Sequence, residues 1–349
     1  MNNRIEEPLV TIGIPVYNVE QYLEKCLLSV LNQTYQNIEI LAVDDCGTDG
    51  SMEIVRQMQA QEANGSKLQI ITQPRNGGSG EARNAVIAQA RGKYLYFLDS
   101  DDYIEPGTIE LLVREAEAHD TDAVFASLRK VVYGTTDEIP TLQYTDYMVI
   151  KGKDEFAKYL CQDLRWHVAI TACNVLFTTD FLRRNDIKFL ASKDEDALFL
   201  SDFYSDIESA VILPDVTYNY VMRPGSKMGV NARTTIPVDE IRGRFLTDSI
   251  MTERCARLRG RSFYDAHCSR VVKHKFRAVC VALRHRRRFT EPLTNREIMA
   301  EMAHPATFCE ILAFRRYRLF NLFFYIVSKL PSGLSLGLLY VIGKLIRWI

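Results

Sequence analysis

The sequence lacks closely spaced cysteine pairs, an apolar segment near its first residues and any hydrophobic run long enough to span a membrane. Its 8 cysteines never occur as Cys-x-x-Cys, which argues against structural zinc, and a chain of 349 residues can bury a core without disulfide bonds. We therefore predict free, mostly buried thiols. The first ten residues contain two acids and no apolar segment, so we expect no secretory signal and a cytoplasmic location.

Internal repeats, low-complexity segments and a net excess of charge are also absent. With 47% hydrophobic and 25% charged residues, the composition excludes collagen-like, disordered and disulfide-scaffold proteins. The net charge of −1 hides an asymmetry, because residues 251–349 hold 19 Lys and Arg against 6 Asp and Glu, a net charge of +13. The chain therefore joins an acidic body of net charge −14 to a basic C-terminal region, and its length predicts one large domain with appendages or two domains.

What the sequence does contain is a regular alternation of short apolar runs and amphipathic stretches. The apolar runs predict strands over residues 9–15, 38–43, 68–72 and 94–98, and the periodic stretches predict helices over 19–33, 51–61, 80–90 and 108–119. Such alternation is typical of βαβ units. We therefore predict an α/β fold with an open, mostly parallel sheet and helices on both faces. Residues 134–150 read as a loop, and residues 237–289 as a basic helical region.

Polar side chains follow each of these four strands at its carboxyl end. They lie in Pro-Val-Tyr-Asn (15–18), Asp-Asp (44–45), Asn-Gly-Gly-Ser-Gly (76–80) and Asp-Ser-Asp-Asp (99–102). Each segment alone could be a turn or a helix cap. Together they occupy the edge at which open α/β sheets bind ligands, and two carboxylates one residue apart suit a hard divalent cation that shares phosphate oxygens.

These ordered motifs resemble family 2 glycosyltransferases of the GT-A fold, in particular the bacterial members that build surface polysaccharides. The similarity covers residues 8 to about 225 and includes T-I-G-I-P-V-Y-N (11–18), L-N-Q-T-Y (31–35), V-D-D-C-G-T-D-G-S (43–51), N-G-G-S-G-E-A-R-N (76–84), G-K-Y-L-Y-F-L-D-S-D-D (92–102) and K-D-E-D-A-L-F (193–199). One departure is Cys46-Gly47, where the family more often has Gly-Ser.

The resemblance implies a site for a UDP-sugar. Pro15, Tyr17 and Asn76 would belong to the nucleotide pocket, with the Tyr17 ring near the base. Asp45 would accept a hydrogen bond from the uracil N3–H, a donor that cytosine lacks, which makes UDP the favoured nucleotide. Arg83 would meet the diphosphate, where a guanidinium can bind two oxygens at once. A surface ion pair with a neighbouring acid such as Glu81 is the alternative for this arginine.

The resemblance also implies a metal and a catalytic base. Asp99 would lie by the ribose and the water shell of Mn2+ or Mg2+, and Asp101 would bind the metal directly. Glu195 and Asp196 resemble the family's Glu-Asp motif, in which the aspartate takes the proton of the attacking hydroxyl. The simpler alternative is that these acids cap a helix beginning at Ala197. The resemblance further implies that the segment after this motif closes over donor or acceptor, with Tyr218, Tyr220, Arg223 and Ser226 as its candidate residues.

The C-terminal tail, residues 312–349, mixes aromatic and aliphatic residues with arginine and lysine. Its charge-free runs reach 10 and 14 residues, shorter than the ~20 needed to span a bilayer. We therefore predict helices that lie on an anionic membrane surface, peripheral to the inner face of the cell membrane. Residues 312–349 could then be removed without loss of the fold. A core-packed helix pair or a dimer contact is the alternative.

The combined prediction is an inverting, metal-dependent glycosyltransferase with a catalytic domain over residues 1–230, a basic helical region over 231–311 and the tail. It would transfer a sugar from a UDP-sugar to a glycan or lipid-linked acceptor. A catalytically silent nucleotide-sugar-binding scaffold is the alternative. A dehydrogenase is disfavoured because Gly77–Gly80 follows the third strand without Gly-x-Gly-x-x-Gly spacing, and a nucleotidyltransferase because no glycine-rich basic segment follows the first. The arginine run at 284–288 has no nucleic-acid-binding motif around it, so we expect no nucleic-acid partner.

Overall fold

The computed structural model describes residues 7–135, 138–139, 144–161, 171–192, 194–223 and 235–345. Lys193 and Ser226, from two of the motifs above, and the last four residues of the tail lie outside these ranges. The described residues form two compact units, the first made of residues up to 156, 171–191 and 195–223, the second of 157–161, 192, 194 and 235–345. The domain boundary that we predict at residue 230 falls outside the described residues and stays a prediction.

The first half of unit one alternates strands and helices as the periodicity predicts. The ends of all four strands and of the helices between them lie within two residues of the predicted positions. The elements are β1 (Val10–Val16), α1 (Glu20–Leu31), β2 (Ile38–Asp44), α2 (Ser51–Gln61), β3 (Leu68–Thr72), α3 (Gly78–Gln89) and β4 (Tyr94–Phe97). Val10, Ile12 and Ile14 of β1 are fully buried, as expected for a strand covered on both faces.

These four strands are parallel and stand in the order β3-β2-β1-β4. The chain moves outward from β1 to β2 and β3 and then returns to the other side of β1 to form β4. Because parallel crossovers are right-handed, this reversal puts α1 and α2 on one face of the sheet and α3 on the other. The reversal between β1 and β4 is the position where such sheets open a crevice for ligands.

The second half of unit one extends the sheet and makes it mixed. Its elements are β5 (Tyr103–Ile104), α4 (Thr108–His119), β6 (Ala123–Val132), β7 (Glu138–Ile139), β8 (Met148–Lys151), the first two residues of α5 (Glu155–Cys161), β9 (Val175–Thr178), α6 (Thr179–Arg184), α7 (Glu195–Asp206) and β10 (Ser209–Met222). The sheet continues from β4 through β9, β6 and β10 to β5, with β9 antiparallel to both of its neighbours. The α/β class is confirmed, and the parallel arrangement holds for β1 to β4 and for the β6–β10 pair.

Residues 134–150 are not simply the loop that we predict from the sequence. β7 pairs with the end of β6, and β8 pairs with β10, both antiparallel. The four residues of β8 alternate between partly buried and exposed, so this segment has the pattern of a strand at the margin of a sheet. The sequence analysis missed β7 and β8 because strands of two and four residues are too short to show a periodic pattern.

A cluster of aromatic rings fixes the N-terminus of α7 against the sheet. Phe199 and Phe203, four residues apart on one face of α7, lie 5.6 and 4.9 Å from the Phe177 ring of β9, centroid to centroid. Phe189 stacks on Phe199 at 4.1 Å. The two acids at the start of α7 are thereby held at the same edge of the sheet as the ends of β1 and β4.

Unit two is helical, as predicted for the C-terminal region. It contains α8 (Val238–Cys255), α9 (Tyr264–Arg284), α10 (Asn295–Ala300), α11 (Phe308–Ala313), α12 (Arg318–Lys329) and α13 (Ser332–Leu345). Phe324 and Leu339 of the last two helices are fully buried in one core with Phe276, Val279 and Ile298. One face of the tail therefore packs in the core, which the sequence analysis left as the alternative to a membrane anchor. Within the described helices, none combines the length and the apolar character needed to cross a membrane.

The cysteine prediction is confirmed. All eight are free thiols, six of them buried, and only Cys46 and Cys309 are exposed. The six buried thiols pack as small apolar side chains.

Candidate active site

The carboxyl ends of β1, β2 and β4 and the starts of α3 and α7 bring the predicted site residues of unit one together. Tyr17 and Asn76 are exposed, Pro15 is partly buried, and Asp45 is buried. The Tyr17 ring is therefore free to meet a flat ligand at the rim. The segments that follow β1, β2, β3 and β4 meet here because these four parallel strands all end at this edge.

Asp45 holds the glycine loop that begins α3. Its two carboxylate oxygens accept hydrogen bonds from the backbone N–H groups of Gly77 and Gly78, at 2.8 and 2.9 Å. The carboxylate thus caps the N-terminus of α3 from across the sheet edge, where the helix dipole favours negative charge. Ser79 lies inside α3 and is not its N-cap. Asp45, which we expect to bind uracil, therefore also fixes the conformation of the glycine loop.

Cys46 occupies the position at which the sequence departs from the family pattern. Its backbone φ is +60°, in the left-handed region that glycine adopts without strain. Its thiol donates to the carbonyl of Gln73 at 3.3 Å. The loop therefore keeps a left-handed conformation although a side chain has replaced the glycine.

Arg83 is buried at the centre of the site and joins its two halves. One terminal nitrogen donates to Asp196 at 2.7 Å and the other to Asp99 at 2.6 Å. The alternative of a surface pair with Glu81 is wrong, because Glu81 pairs with Arg75 instead. Burial alone would lower the pKa of Arg83, but the two carboxylates raise it well above its usual value, so the guanidinium stays charged.

Asp196, the predicted base, stands in the first turn of α7. Burial raises its pKa to about 6, although the Arg83 charge opposes the rise. α7 begins at Glu195, two residues before the start that the capping alternative assumed. Glu195 accepts a hydrogen bond from the Ser79 hydroxyl at 2.5 Å, a link between α7 and α3 that no motif reveals. A carboxylate with a pKa near 6 is suited to general-base work near neutral pH.

The three acids after β4 have different surroundings. Asp102 is buried, and its carboxylate accepts from the Tyr218 hydroxyl at 2.6 Å and from the Val221 backbone N–H at 2.7 Å, so it ties β10 to this loop. Burial, reinforced by Asp99 and Asp101, raises the pKa of Asp102 well above its usual value. The side chains of Asp99 and Asp101 are 33% and 25% exposed, which leaves these two open to a ligand.

Arg223 at the end of β10 is the partner of Asp101. Its Nε donates to the carboxylate at 2.6 Å, and its guanidinium lies over the Tyr22 ring of α1 at 5.1 Å. We predict from the resemblance that this segment closes over donor or acceptor, and the structure pairs one of its residues, Arg223, with the predicted metal ligand Asp101. Tyr218 instead donates its hydroxyl hydrogen bond to Asp102, as described above. Ser226 lies outside the described part of the chain.

Comparison with known proteins identifies the family. The model for glycosyl transferase family 2 matches residues 11–182. A curated relative, the glycosyltransferase GlyG of Streptococcus pneumoniae, is 30% identical over 231 residues, which cover 63% of this chain and 73% of GlyG. This chain is a family 2 glycosyltransferase. The resemblance inferred from the motifs is confirmed, although the family model ends before Asp196.

Other relatives of this glycosyltransferase match over smaller shares of their own length. The uncharacterized glycosyltransferase EpsJ of Bacillus subtilis is 31% identical over 63% of this chain and 62% of EpsJ. The hyaluronan synthase of Pasteurella multocida is 40% identical over 32% of this chain, but only 11% of that synthase is covered. The similarity to the larger synthase is therefore confined to one segment.

Solved structures support the fold of the glycosyltransferase. The S. aureus TarS structure 1–349 in complex with UDP-GlcNAc superposes with a TM-score of 0.65 at 20% sequence identity, covering 97% of this chain and 91% of that one. At this identity the likeness concerns the fold. The GT-A-like α/β architecture and the helical C-terminal region are thus shared with TarS.

Proposed function

We propose that this glycosyltransferase is an inverting, metal-dependent enzyme that transfers a hexose or an N-acetylhexosamine from a UDP-sugar to a growing, lipid-linked surface glycan. One observation carries the proposal. The buried guanidinium of Arg83 joins Asp99, on the predicted donor side, to Asp196, on the predicted acceptor side, with contacts of 2.6 and 2.7 Å. Asp99, which we place beside the sugar donor, and Asp196, the candidate base, thus both pair with the Arg83 guanidinium in unit one.

A uridine diphosphate sugar is supported as the donor by the site and by the fold neighbours. Tyr17 is exposed beside the end of β1, and the buried Asp45 carboxylate lies behind it, bonded to the backbone of the glycine loop. Two of the TarS structures contain UDP or UDP-GlcNAc. Arg83 is buried and paired with two carboxylates, so in the proposed complex its charge acts on the diphosphate from a buried position and not as an exposed binding residue.

Asp99 and Asp101 fit a divalent cation. One carboxylate oxygen of each aspartate accepts a hydrogen bond from an arginine, and the second oxygen remains for a cation. Carboxylate oxygen is the ligand that Mg2+ and Mn2+ prefer. Two carboxylates would leave the remaining positions around such a cation to phosphate and water oxygens. When bound, the cation supplies positive charge against the leaving diphosphate.

The chemical step that we propose needs one base. The acceptor hydroxyl oxygen forms a bond to the anomeric carbon while the bond from that carbon to the diphosphate oxygen breaks, and the configuration inverts. The hydroxyl proton passes to Asp196, and UDP leaves with the electron pair. Arg83 holds the Asp196 carboxylate in position, and the Ser79–Glu195 hydrogen bond fixes the start of α7.

Membrane association completes the proposal. The tail carries arginine and lysine among apolar residues, and α12 and α13 expose several of those apolar side chains. We propose that the enzyme is peripheral to the inner face of the cell membrane, where it meets a lipid-linked acceptor.

The test is release of nucleoside diphosphate by the full chain from a panel of nucleotide sugars, with Mn2+, with Mg2+ and with a chelator. We expect UDP release that requires metal and acceptor. Asp196→Asn should bind donor normally but transfer about 10²–10⁴-fold more slowly. Asp101→Asn should lose metal-dependent UDP binding in calorimetry, because an amide cannot offset the cation's charge.

Asp180→Asn is the matched control, since Asp180 is an exposed acid of α6 paired only with Arg184 in the described contacts. It should behave as wild type. Donor binding without UDP release under any condition would favour the scaffold alternative, and undiminished turnover by Asp196→Asn would mean that another group takes the proton.

A further inference from the structure

α12 and α13 each carry a second apolar face. On α12, Leu319, Ile326 and the following Leu330 are exposed and repeat at seven and four residues, so they share one side of the helix. The buried positions of α12, Phe324 and Val327, lie on another side. Leu319 is 82% exposed, which is far more than a core-facing leucine would be.

α13 repeats this arrangement over its whole length. Four exposed apolar residues stand at intervals of four, three and four, which places them within one narrow arc of the helix. They are Leu334, Leu338, Val341 and Leu345. Leu336 and Leu339 face the core of unit two from the other side. The seven exposed residues of the two helices are called the outer apolar surface below.

Basic residues accompany the outer apolar surface, and acidic ones do not. Residues 312–349 contain six arginines and lysines and no aspartate or glutamate. Lys329 is the last residue of α12 and Lys344 lies in the last turn of α13. Their ammonium groups lie over the rings of Tyr325 and Tyr340, at 5.2 and 4.8 Å. A cation at a helix C-terminus also offsets the helix dipole. The surface thus presents apolar side chains beside positive charge.

We propose that the outer apolar surface is the face by which this enzyme docks on an anionic lipid membrane. The inner faces of α12 and α13 hold unit two together, and the outer faces enter the headgroup region while the basic side chains meet lipid phosphates. The inference rests on the membrane association in the proposed function and assigns it to particular residues of two helices.

A second copy of the chain fits this surface less well. Each stripe covers fewer than two heptads, whereas a coiled-coil seam needs about three or four. Two copies would also bring together stretches of the same charge without any acidic partner between residues 312 and 349. Lipid phosphate supplies the opposite charge that a second copy lacks.

The test compares full-length variants in flotation with vesicles of phosphatidylcholine, alone or mixed with phosphatidylglycerol. Leu334→Gln/Val341→Gln and, separately, Leu319→Gln/Ile326→Gln remove exposed apolar groups without touching the core. We expect each pair to lower partitioning onto anionic vesicles by about 10- to 100-fold. Leu246→Gln is the control, because Leu246 is a 53% exposed leucine of α8 outside the tail, and it should bind as wild type.

Lys329→Gln/Lys344→Gln probes the electrostatic part. Partitioning onto anionic vesicles should fall about 10- to 30-fold at low salt and change little on phosphatidylcholine alone. The difference should shrink as salt rises from about 0.1 M to about 1 M.

Two outcomes would overturn the inference. Wild-type partitioning by both glutamine pairs would show that other residues bind the membrane. A wild-type dimer in sedimentation velocity that the same pairs dissociate, with vesicle binding unchanged, would assign the surface to a second copy. UDP release with a soluble acceptor is measured for every variant. Lost flotation with intact release supports the docking face, and intact flotation without release contradicts the proposed activity alone.

Discussion

At the scale of single residues, the candidate site depends on one buried arginine between two carboxylates. Arg83 keeps Asp196 in place and opposes the rise of its pKa, while burial pushes that pKa to about 6. The balance matters because a carboxylate with its usual pKa would be a weaker base, and one raised much further would be protonated at neutral pH. The two effects together suit proton transfer near pH 7.

A pH dependence follows from the Asp196 pKa. The base works as the carboxylate, which is lost as the pH falls through about 6, so kcat/KM should decline about tenfold per pH unit below that value. The measurement is the pH profile of UDP release with a soluble acceptor. A profile that stays flat well below pH 6 would contradict the assignment of Asp196 as base.

Arg83→Lys should separate charge from geometry. Lysine keeps the positive charge but lacks the planar fork that reaches Asp99 and Asp196 together. We expect transfer to fall by about 10- to 100-fold and the acidic limb of the pH profile to move upward. Arg75→Lys is the control, because Arg75 makes an exposed pair with Glu81, and its profile should match wild type. An unshifted limb in Arg83→Lys would argue against the link to Asp196.

At the scale of elements, α12 is held by a buried polar contact as well as by its apolar inner face. The Asn321 amide donates to the Ser269 hydroxyl of α9 at 2.7 Å, and its oxygen contacts the His304 ring at 2.9 Å. Asn321 is fully buried. A buried polar side chain of this kind fixes the position of a helix because apolar packing alone tolerates sliding.

Asn321→Leu should therefore destabilise unit two. The change removes one hydrogen-bond partner of the Ser269 hydroxyl and the partner of His304 Nε2, and it costs about 1–3 kcal/mol. The midpoint of thermal unfolding should fall, whereas Asn295→Leu, at an exposed position in α10, should leave it almost unchanged. Equal midpoints for the two variants would show that Asn321 does not anchor α12.

At the scale of the whole molecule, the tail has a structural role and a proposed membrane role, and a truncation cannot separate the two. Removal of residues 312–349 takes Phe324, Val327, Leu336 and Leu339 out of the core of unit two. Each large buried side chain contributes about 2–5 kcal/mol, and the total approaches the net stability of a domain. We therefore no longer expect the chain to keep its fold without the tail, and we expect unit two to lose its fold instead.

A chain ending at residue 311 should be poorly folded in unit two. Limited proteolysis should cut α8 and α9 in that chain and spare them in Leu334→Gln/Val341→Gln, which keeps the core. If the shortened chain instead resists protease and unfolds at the wild-type temperature, the tail is not part of the core.

The sequence by itself determined the order of the elements from β1 to β4, because apolar runs and the helical repeat of 3.6 residues are local properties of the chain. It also identified the polar segments that end at one edge, since every parallel strand of a βαβ series points the same way. The basic and apolar character of the tail was equally local. These features need no knowledge of which distant residues meet.

Only the tertiary structure decided how the side chains pair. Arg83 and Asp196 are 113 positions apart, and Tyr218 and Asp102 are 116 apart, so their contacts depend on sheet order and register. The same holds for the tail, where Leu339 and Leu338 are adjacent in sequence, yet one is buried and the other exposed. Composition gives both leucines the same preference for burial, and only the packing of α13 against the core of unit two decides which of them faces inward.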